Sequence, residues 1–185
     1  MAEISLTVQT VSPAPGGATQ TVIMDYAKSV KELEWTTNRM DSPGKLTFTR
    51  IEDGPIAIPE GSSVELAVNG VKVFKGYVFV IERNKERETS YTAYDQMRYL
   101  KVNASYTFEN MTLTQIVQQV AADFGLTCGT LEDTGYAFPC LLKEDEGCLD
   151  ILYDALSQTI VQTGKIYLLY DDAGAITLVE AKNLL

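Results

Sequence analysis

The sequence predicts an α+β fold, mainly β: a small N-terminal β-barrel followed by an α+β lobe with two main helices and a C-terminal β-hairpin. Three observations carry this expectation. Short runs of alternating apolar and polar residues fill the first half, with turn residues between them. The apolar period changes beyond Tyr94 to the spacing of helices. The charge also breaks: residues 1–100 carry 11 Lys/Arg against 13 Asp/Glu, a balance of −2, whereas residues 101–185 carry 4 against 12, a balance of −8. A β-barrel domain at 1–100 and an α+β domain at 101–185 are therefore expected.

Ile4, Leu6 and Val8 alternate with Ser5, Thr7 and Gln9, the period of a half-buried strand. Ser12-Pro13-Ala14-Pro15-Gly16-Gly17 breaks the chain, and Thr21 to Met24 forms a short second strand. Lys31–Thr37 and Lys45–Ile51 read as a hairpin across the turn residues Asp41-Ser42-Pro43-Gly44. Val64, Leu66 and Val68 lead into Asn69-Gly70, a dipeptide that tolerates the two positive φ angles of a type I′ turn. The return strand runs to about Arg83, with Gly76 where a bulge or bend costs least. A polar loop at Asn84–Glu88 and a strand from Thr89 to Tyr94 complete the barrel.

Asp95 is placed to cap a short helical turn, Gln96 to Leu100. Thr112 and Gln115 make a T-x-x-Q capping box, and Met111 with Ile116 a hydrophobic staple. Leu113, Ile116, Val117, Val120, Ala121 and Phe124 share one face of the helix that follows, and Gly125 ends it. A loop region containing Gly129, Gly135 and Pro139 precedes a second helix, from about Gly147 to Thr163, ended by Gly164. Ile166–Tyr170 and Ala175–Val179 form the last hairpin, around Asp171-Asp172-Ala173-Gly174.

The composition removes much chemistry. With no histidine in 185 residues, a Ser-His-Asp triad, a Cys-His pair and any His-containing zinc site are excluded. A net charge of −10 disfavours binding to phosphate backbones. Cys128, Cys140 and Cys148 are odd in number and match neither CxxC nor paired zinc knuckles, so they are read as core thiols. The run Lys143-Glu144-Asp145-Glu146 lacks the oxygen-ligand spacing of an EF-hand and is read as a solvated loop near a helix N-terminus, with Glu132-Asp133 a weaker case. Gly61-Ser62-Ser63 and Asn69-Gly70 are turns, not phosphate loops. Among the ten tyrosines, Tyr77, Tyr91 and Tyr94 fall at strand positions and are assigned to core or subunit interface. No residue is singled out as catalytic, cofactor-binding or metal-ligating. No apolar run is long enough to span a membrane, and Met1-Ala2-Glu3-Ile4 does not start as a signal peptide does, so synthesis in the cytoplasm without membrane anchoring is expected.

One ordered pattern remains. Asn69-Gly70, Phe74-Lys75-Gly76-Tyr77-Val78-Phe79 and Tyr91-Thr92-Ala93-Tyr94-Asp95-Gln96-Met97-Arg98-Tyr99-Leu100 are followed by Tyr106-Thr107-Phe108-Glu109-Asn110-Met111-Thr112 and the helix down to Phe124-Gly125-Leu126. Together, over roughly residues 60–165, these resemble the XkdQ/YqbQ-like family of phage and prophage tail proteins. Physically, the motif reads as a barrel strand turning straight into a capped helical turn, with Tyr99 and Leu100 sealing the barrel end.

The family is similar in architecture to late-control gene D proteins, the trimeric hubs of contractile tails. The resemblance implies a non-enzymatic baseplate-hub subunit that self-associates as a trimer and joins the tail tube protein to the spike protein. It implies assembly in the bacterial host cytoplasm and residence in the tail baseplate of a phage, defective prophage or bacteriocin. DNA passes through such a ring without specific binding, and an acidic lumen suits that. Family members are longer, so the resemblance also implies that this chain is a piece of a longer hub protein. The alternatives are a hub or tip component of a non-contractile tail, and a cell-wall glycan hydrolase or binding module.

Overall fold

The computed structural model describes residues 3–13, 19–38, 40–51, 58–84 and 88–184. It is mainly β with two helices, the fold class expected from the sequence. The chain clusters into two compact units, residues 1–37 with 44–95 and residues 38–43 with 96–185.

The first unit is one seven-stranded antiparallel sheet curled into a half-barrel. Its strands are β1 (Ile4–Pro13), β2 (Thr19–Asp25), β3 (Val30–Thr36), β4 (Lys45–Ile51), β5 (Ser63–Val68), β6 (Val71–Arg83) and β7 (Glu88–Tyr94). In space their order is β2-β1-β5-β6-β7-β4-β3. Alternation places Leu6, Val8, Leu46, Phe48, Val64, Leu66, Phe74, Val78, Tyr91 and Ala93 on the inner face, all buried. Each large side chain there contributes about 1.5–3 kcal/mol by leaving water. Phe48 and Tyr91, direct cross-strand partners, stack with ring centroids 5.0 Å apart.

Two expected devices shape this sheet. Asn69 and Gly70 take φ of 52° and 78°, the two positive angles of the anticipated type I′ turn between β5 and β6. Gly76 lies where β6 leaves one wall for the other: β6 pairs with β5 through Tyr77, and with β7 from Tyr77 onward. A Cβ at Gly76 would overlap the Tyr94 carbonyl, so only glycine lets the strands approach this closely. Of the expected loops, residues 14–18 and 85–87 lie outside the described residues.

The second unit begins with the predicted short turn, a 3-10 helix at Gln96–Leu100. Next come β8 (Asn103–Thr112), α1 (Leu113–Asp123), β9 (Cys128–Leu131), β10 (Ala137–Gly147), α2 (Cys148–Thr163), β11 (Tyr167–Asp171) and β12 (Ile176–Glu180). β8 and β10 pair as an antiparallel ribbon, and β11-β12-β9 form a small sheet in which β9 runs parallel to β12.

At α1 the expected capping box is complete: the Gln115 amide donates to Thr112 Oγ1, and the Thr112 amide donates to Gln115 Oε1. Gly125, φ 62°, sits just past the end, where its amide donates to the Ala122 carbonyl and that of Leu126 to the Ala121 carbonyl. This is a Schellman closure, and it satisfies carbonyls the helix leaves open. α2 ends on Gly164 at φ 68°. Both helices bury their apolar stripes, Leu113, Ile116, Val117 and Val120 with Leu149, Leu152, Ala155 and Leu156, against Phe108, Phe138, Tyr167, Leu169 and Leu178.

Three strands go beyond the sequence reading. β9 and β10 lie in the region of Gly129, Gly135 and Pro139, where a loop was expected, and β8 occupies residues 103–112, to which the sequence assigned no element. Pro139 does not break β10, because β10 lies in a two-stranded ribbon whose ladder passes from Phe138–Met111 to Cys140–Glu109. The acidic run is not a simple solvated loop either: Lys143–Glu146 is the end of β10, bulged so that the register shifts between Lys143 and Glu146.

Candidate assembly surface

The surface that stands out belongs to the half-barrel. Among the described residues, β2 and β3 are the terminal strands of its sheet, each paired on one side only. The inner apolar face is complete in the middle and unfinished at both margins. Val8 and Leu46 are 1% and 0% exposed, but their cross-strand partners on the margins, Met24 of β2 and Trp35 of β3, are 37% and 43% exposed. Beside β3 lies a cavity of about 270 Å³ lined by Ile4, Leu6, Ala27, Lys28, Val30, Lys31 and Leu33.

The chain turns sharply here, from β2 to β3, and the Asp25 carboxylate holds the turn. It accepts from the Ala27 amide (2.9 Å), the Leu6 amide (3.2 Å) and the Ser5 hydroxyl (3.0 Å). The Ala27 bond foremost keeps the Asp25 carboxyl below its ordinary pKa, against a partial desolvation that pushes the other way. Behind the turn, the buried Tyr26 ring carries the Arg50 guanidinium over its face, 4.6 Å from the centroid. At the rim, Lys31 bridges to Glu88 of β7 at 2.7 Å.

The motif that carried the family resemblance proves to be structural. Asp95 Oδ2 accepts from the Gly44 amide at 2.6 Å, and the Asp95 amide donates to the Gly44 carbonyl at 3.1 Å, within the first unit. The next residue, Gln96, anchors the second. Its Nε2 donates to the Thr127 carbonyl (3.0 Å) and to Asp171 Oδ2 (2.9 Å), while its Oε1 accepts from the Thr127 amide (3.0 Å). Leu100 packs into the core of the second unit together with Met97, and Tyr99 is 42% exposed.

Lys143, Glu146, Glu132 and Asp133 have structural partners. Lys143 bridges to Asp154 at 2.7 Å and Glu146 at 3.0 Å; the Asp154 bond foremost raises its pKa against a desolvation that lowers it. Glu132 spends both carboxylate oxygens on the end of the fold, accepting from the Glu180 amide and from Asn183 Nδ2, both at 2.8 Å. Those bonds, the Glu180 amide first, lower its pKa. Asp133 Oδ1 accepts from the Gly135 amide in a local turn. Burial, and then the Asp123 carboxylate 3.0 Å away, push the Tyr106 phenol up to about 12. The described residues contain no group of His, Cys, Asp and Glu able to hold a metal ion. Cys148 is buried as expected, but Cys128 and Cys140 are exposed, so only one of the three is a core thiol. Their strands present them outward, which cysteine counting cannot detect.

A family model described as YQBQ-like matches residues 33–185. The chain belongs to this family. Among curated relatives of the YQBQ-like chain, it is 35% identical over 166 residues to the uncharacterized protein YqbQ of Bacillus subtilis, covering 80% of this chain and 50% of YqbQ. It is 34% identical over 124 residues to XkdQ of the phage-like element PBSX of the same organism, covering 66% of this chain and 38% of XkdQ. Its fold is similar to that of the 43 kDa tail protein of prophage MuSo2 from Shewanella oneidensis, with a TM-score of 0.67 at 20% identity over 95% of this chain and 52% of that one. The YQBQ-like chain thus spans half the length of YqbQ or less of the relatives' lengths. The resemblance to XkdQ/YqbQ-like phage tail proteins drawn from the residues is borne out.

Proposed function

We propose that the chain is a structural, non-enzymatic part of a phage-type tail, and more specifically of the baseplate hub of a contractile tail. In this reading the full-length protein assembles as a trimer in the host cytoplasm and joins tube to spike in the finished baseplate. The observation that carries the reading is the 34% identity to XkdQ, a protein of a phage-like element. The half-barrel with its unfinished margins supports an assembly role, and the charge of −10 suits a ring through which DNA slides without adhering. No helix among the described residues is long and apolar enough to cross a membrane, in keeping with a role that needs no anchoring helix.

Two measurements test this. Mass spectrometry of purified tail particles should find the full-length protein at a few copies per tail, and its absence removes the tail role. Sedimentation velocity of the full-length protein should give a trimer; a stable monomer with glycan-hydrolase activity overturns the hub reading. A trimer found only in particles that lack a sheath moves the protein to a non-contractile tail. We further propose that the regions near 1–100 and 101–185 behave as two domains, so that limited proteolysis leaves a stable fragment containing 101–185.

A further inference from the structure

We infer that Asn69 is a modification site, prone to deamidation, and that a pair of hydrogen bonds to Glu3 is the latch that holds it unreacted. The inference goes beyond the tail-subunit reading and does not depend on it.

Among the asparagines of the chain, Asn69 alone is followed by glycine, the residue that leaves the next backbone nitrogen least hindered. In deamidation the Gly70 nitrogen attacks Asn69 Cγ. A C–N bond forms, the Cγ–Nδ2 bond breaks, and ammonia leaves with the proton that the Gly70 nitrogen gives up. Water then opens the cyclic imide at either carbonyl, giving aspartate or isoaspartate. One water is consumed and one ammonia released. Asn69 and Gly70 are both exposed, so water has access to the site.

The fold opposes the first step. Asn69 takes φ 52° and Gly70 φ 78°, the left-handed pair of a type I′ turn. In such a turn the asparagine ψ lies near about +30°, which points the Gly70 nitrogen away from the side-chain carbon it must reach. The side chain is held as well. Just beyond the Ile4–Val68 pair, the Asn69 side-chain carbonyl takes the place of a backbone carbonyl in the ladder between β1 and β5. The Glu3 amide donates to Asn69 Oδ1 at 2.9 Å, and the Asn69 amide donates to the Glu3 carbonyl at 2.7 Å. Ring closure needs the Asn69 backbone to rotate, and this latch stands against the rotation. It sits at the end of a strand, where pairing opens at least cost.

The product matters to the sheet. Isoaspartate carries the main chain through the former side chain and lengthens a two-residue turn by one carbon. That turn no longer matches the Val68–Val71 pair it closes, so the β5–β6 hairpin and the start of β1 loosen together.

Incubation in mildly alkaline buffer, followed by peptide mapping with mass spectrometry, tests this residue by residue. In denaturant-unfolded protein, Asn69 should react faster than Asn38, Asn84, Asn103, Asn110 and Asn183. In folded protein it should react at least about tenfold more slowly than in the unfolded chain. Asn110 is the internal control: it shares the φ of 52° but precedes Met111, and it should stay intact. Glu3→Pro deletes the latching N–H and should raise the folded-state rate roughly threefold or more, with unchanged far-ultraviolet circular dichroism. If that variant fails to fold, the parent alone decides, because its rate should begin to rise at denaturant concentrations below the global unfolding transition. Equal rates in folded and unfolded protein, a rate that rises only with global unfolding, or a folded Glu3→Pro variant no faster than the parent would each overturn the inference.

Discussion

The two units solve the problem of burying apolar surface in opposite ways. In the second, two helices cover small pieces of sheet, and the core draws on the 3-10 turn, both helices and strands from both sheets. In the first, the described residues form one large sheet that bends over itself, and its inner face thins toward Met24 and Trp35. A helix can close a core from outside, because all its backbone bonds are internal. A sheet edge left uncovered by helix or loop can be continued by another strand. The two units thus bury apolar surface by different means, helix on sheet in the second and sheet on itself among the described residues of the first.

The comparison can be broken or sharpened by experiment. If the second unit is the closed one, Phe108→Ala, which empties a fully buried site in its core, should cost about 3–5 kcal/mol in denaturant unfolding. A loss below about 1 kcal/mol would mean that its core is loose. In the half-barrel, the sensitive point is backbone geometry. Gly76→Ala should cost about 1–3 kcal/mol by forcing β6 away from the Tyr94 carbonyl and displacing the Phe74 ring, a change that near-ultraviolet circular dichroism should register.

Thr112→Ala removes one half of the capping box and should cost about 1 kcal/mol, with hydrogen exchange faster in the first turn of α1. The smallest effect concerns pH. The Glu132 carboxyl has a lowered folded pKa, so its contribution is present above the ordinary value of 4.5 and is lost as pH falls through the folded value. Acid titration of stability from about pH 6 to pH 3 should show this loss in the parent. Glu132→Gln should flatten that part of the curve, and an unchanged curve would show that the clamp on Glu180 and Asn183 contributes nothing to stability.

Elements governed by local chemistry were legible in the sequence. Asn69-Gly70, Gly76, the Thr112–Gln115 box, Gly125 and Gly164 each act within a few residues or through a backbone need that only glycine meets, and each sits where it was expected. The ribbon of β8 and β10 was not legible, because its partners lie some 30 residues apart and one of them contains Pro139 and an acidic run. Pairing at that separation is decided by the helices packed against it, not by local propensity. The margins were equally hidden. That β2 and β3 are the terminal strands among the described residues follows from the spatial order of seven strands, which nothing in the residues of either strand announces. Cys128 and Cys140 failed for a related reason: thiol burial depends on which face of a strand the residue takes.

The path of β6 has a mechanical consequence. One continuous backbone from Val71 to Arg83 serves both walls of the half-barrel, joined to β5 along its first part and to β7 along its second. No flexible loop interrupts it at the corner. A pull applied to one wall therefore reaches the other along covalent bonds, with hydrogen-bonded strands gripping it on either side, and there is no slack in between to absorb the load.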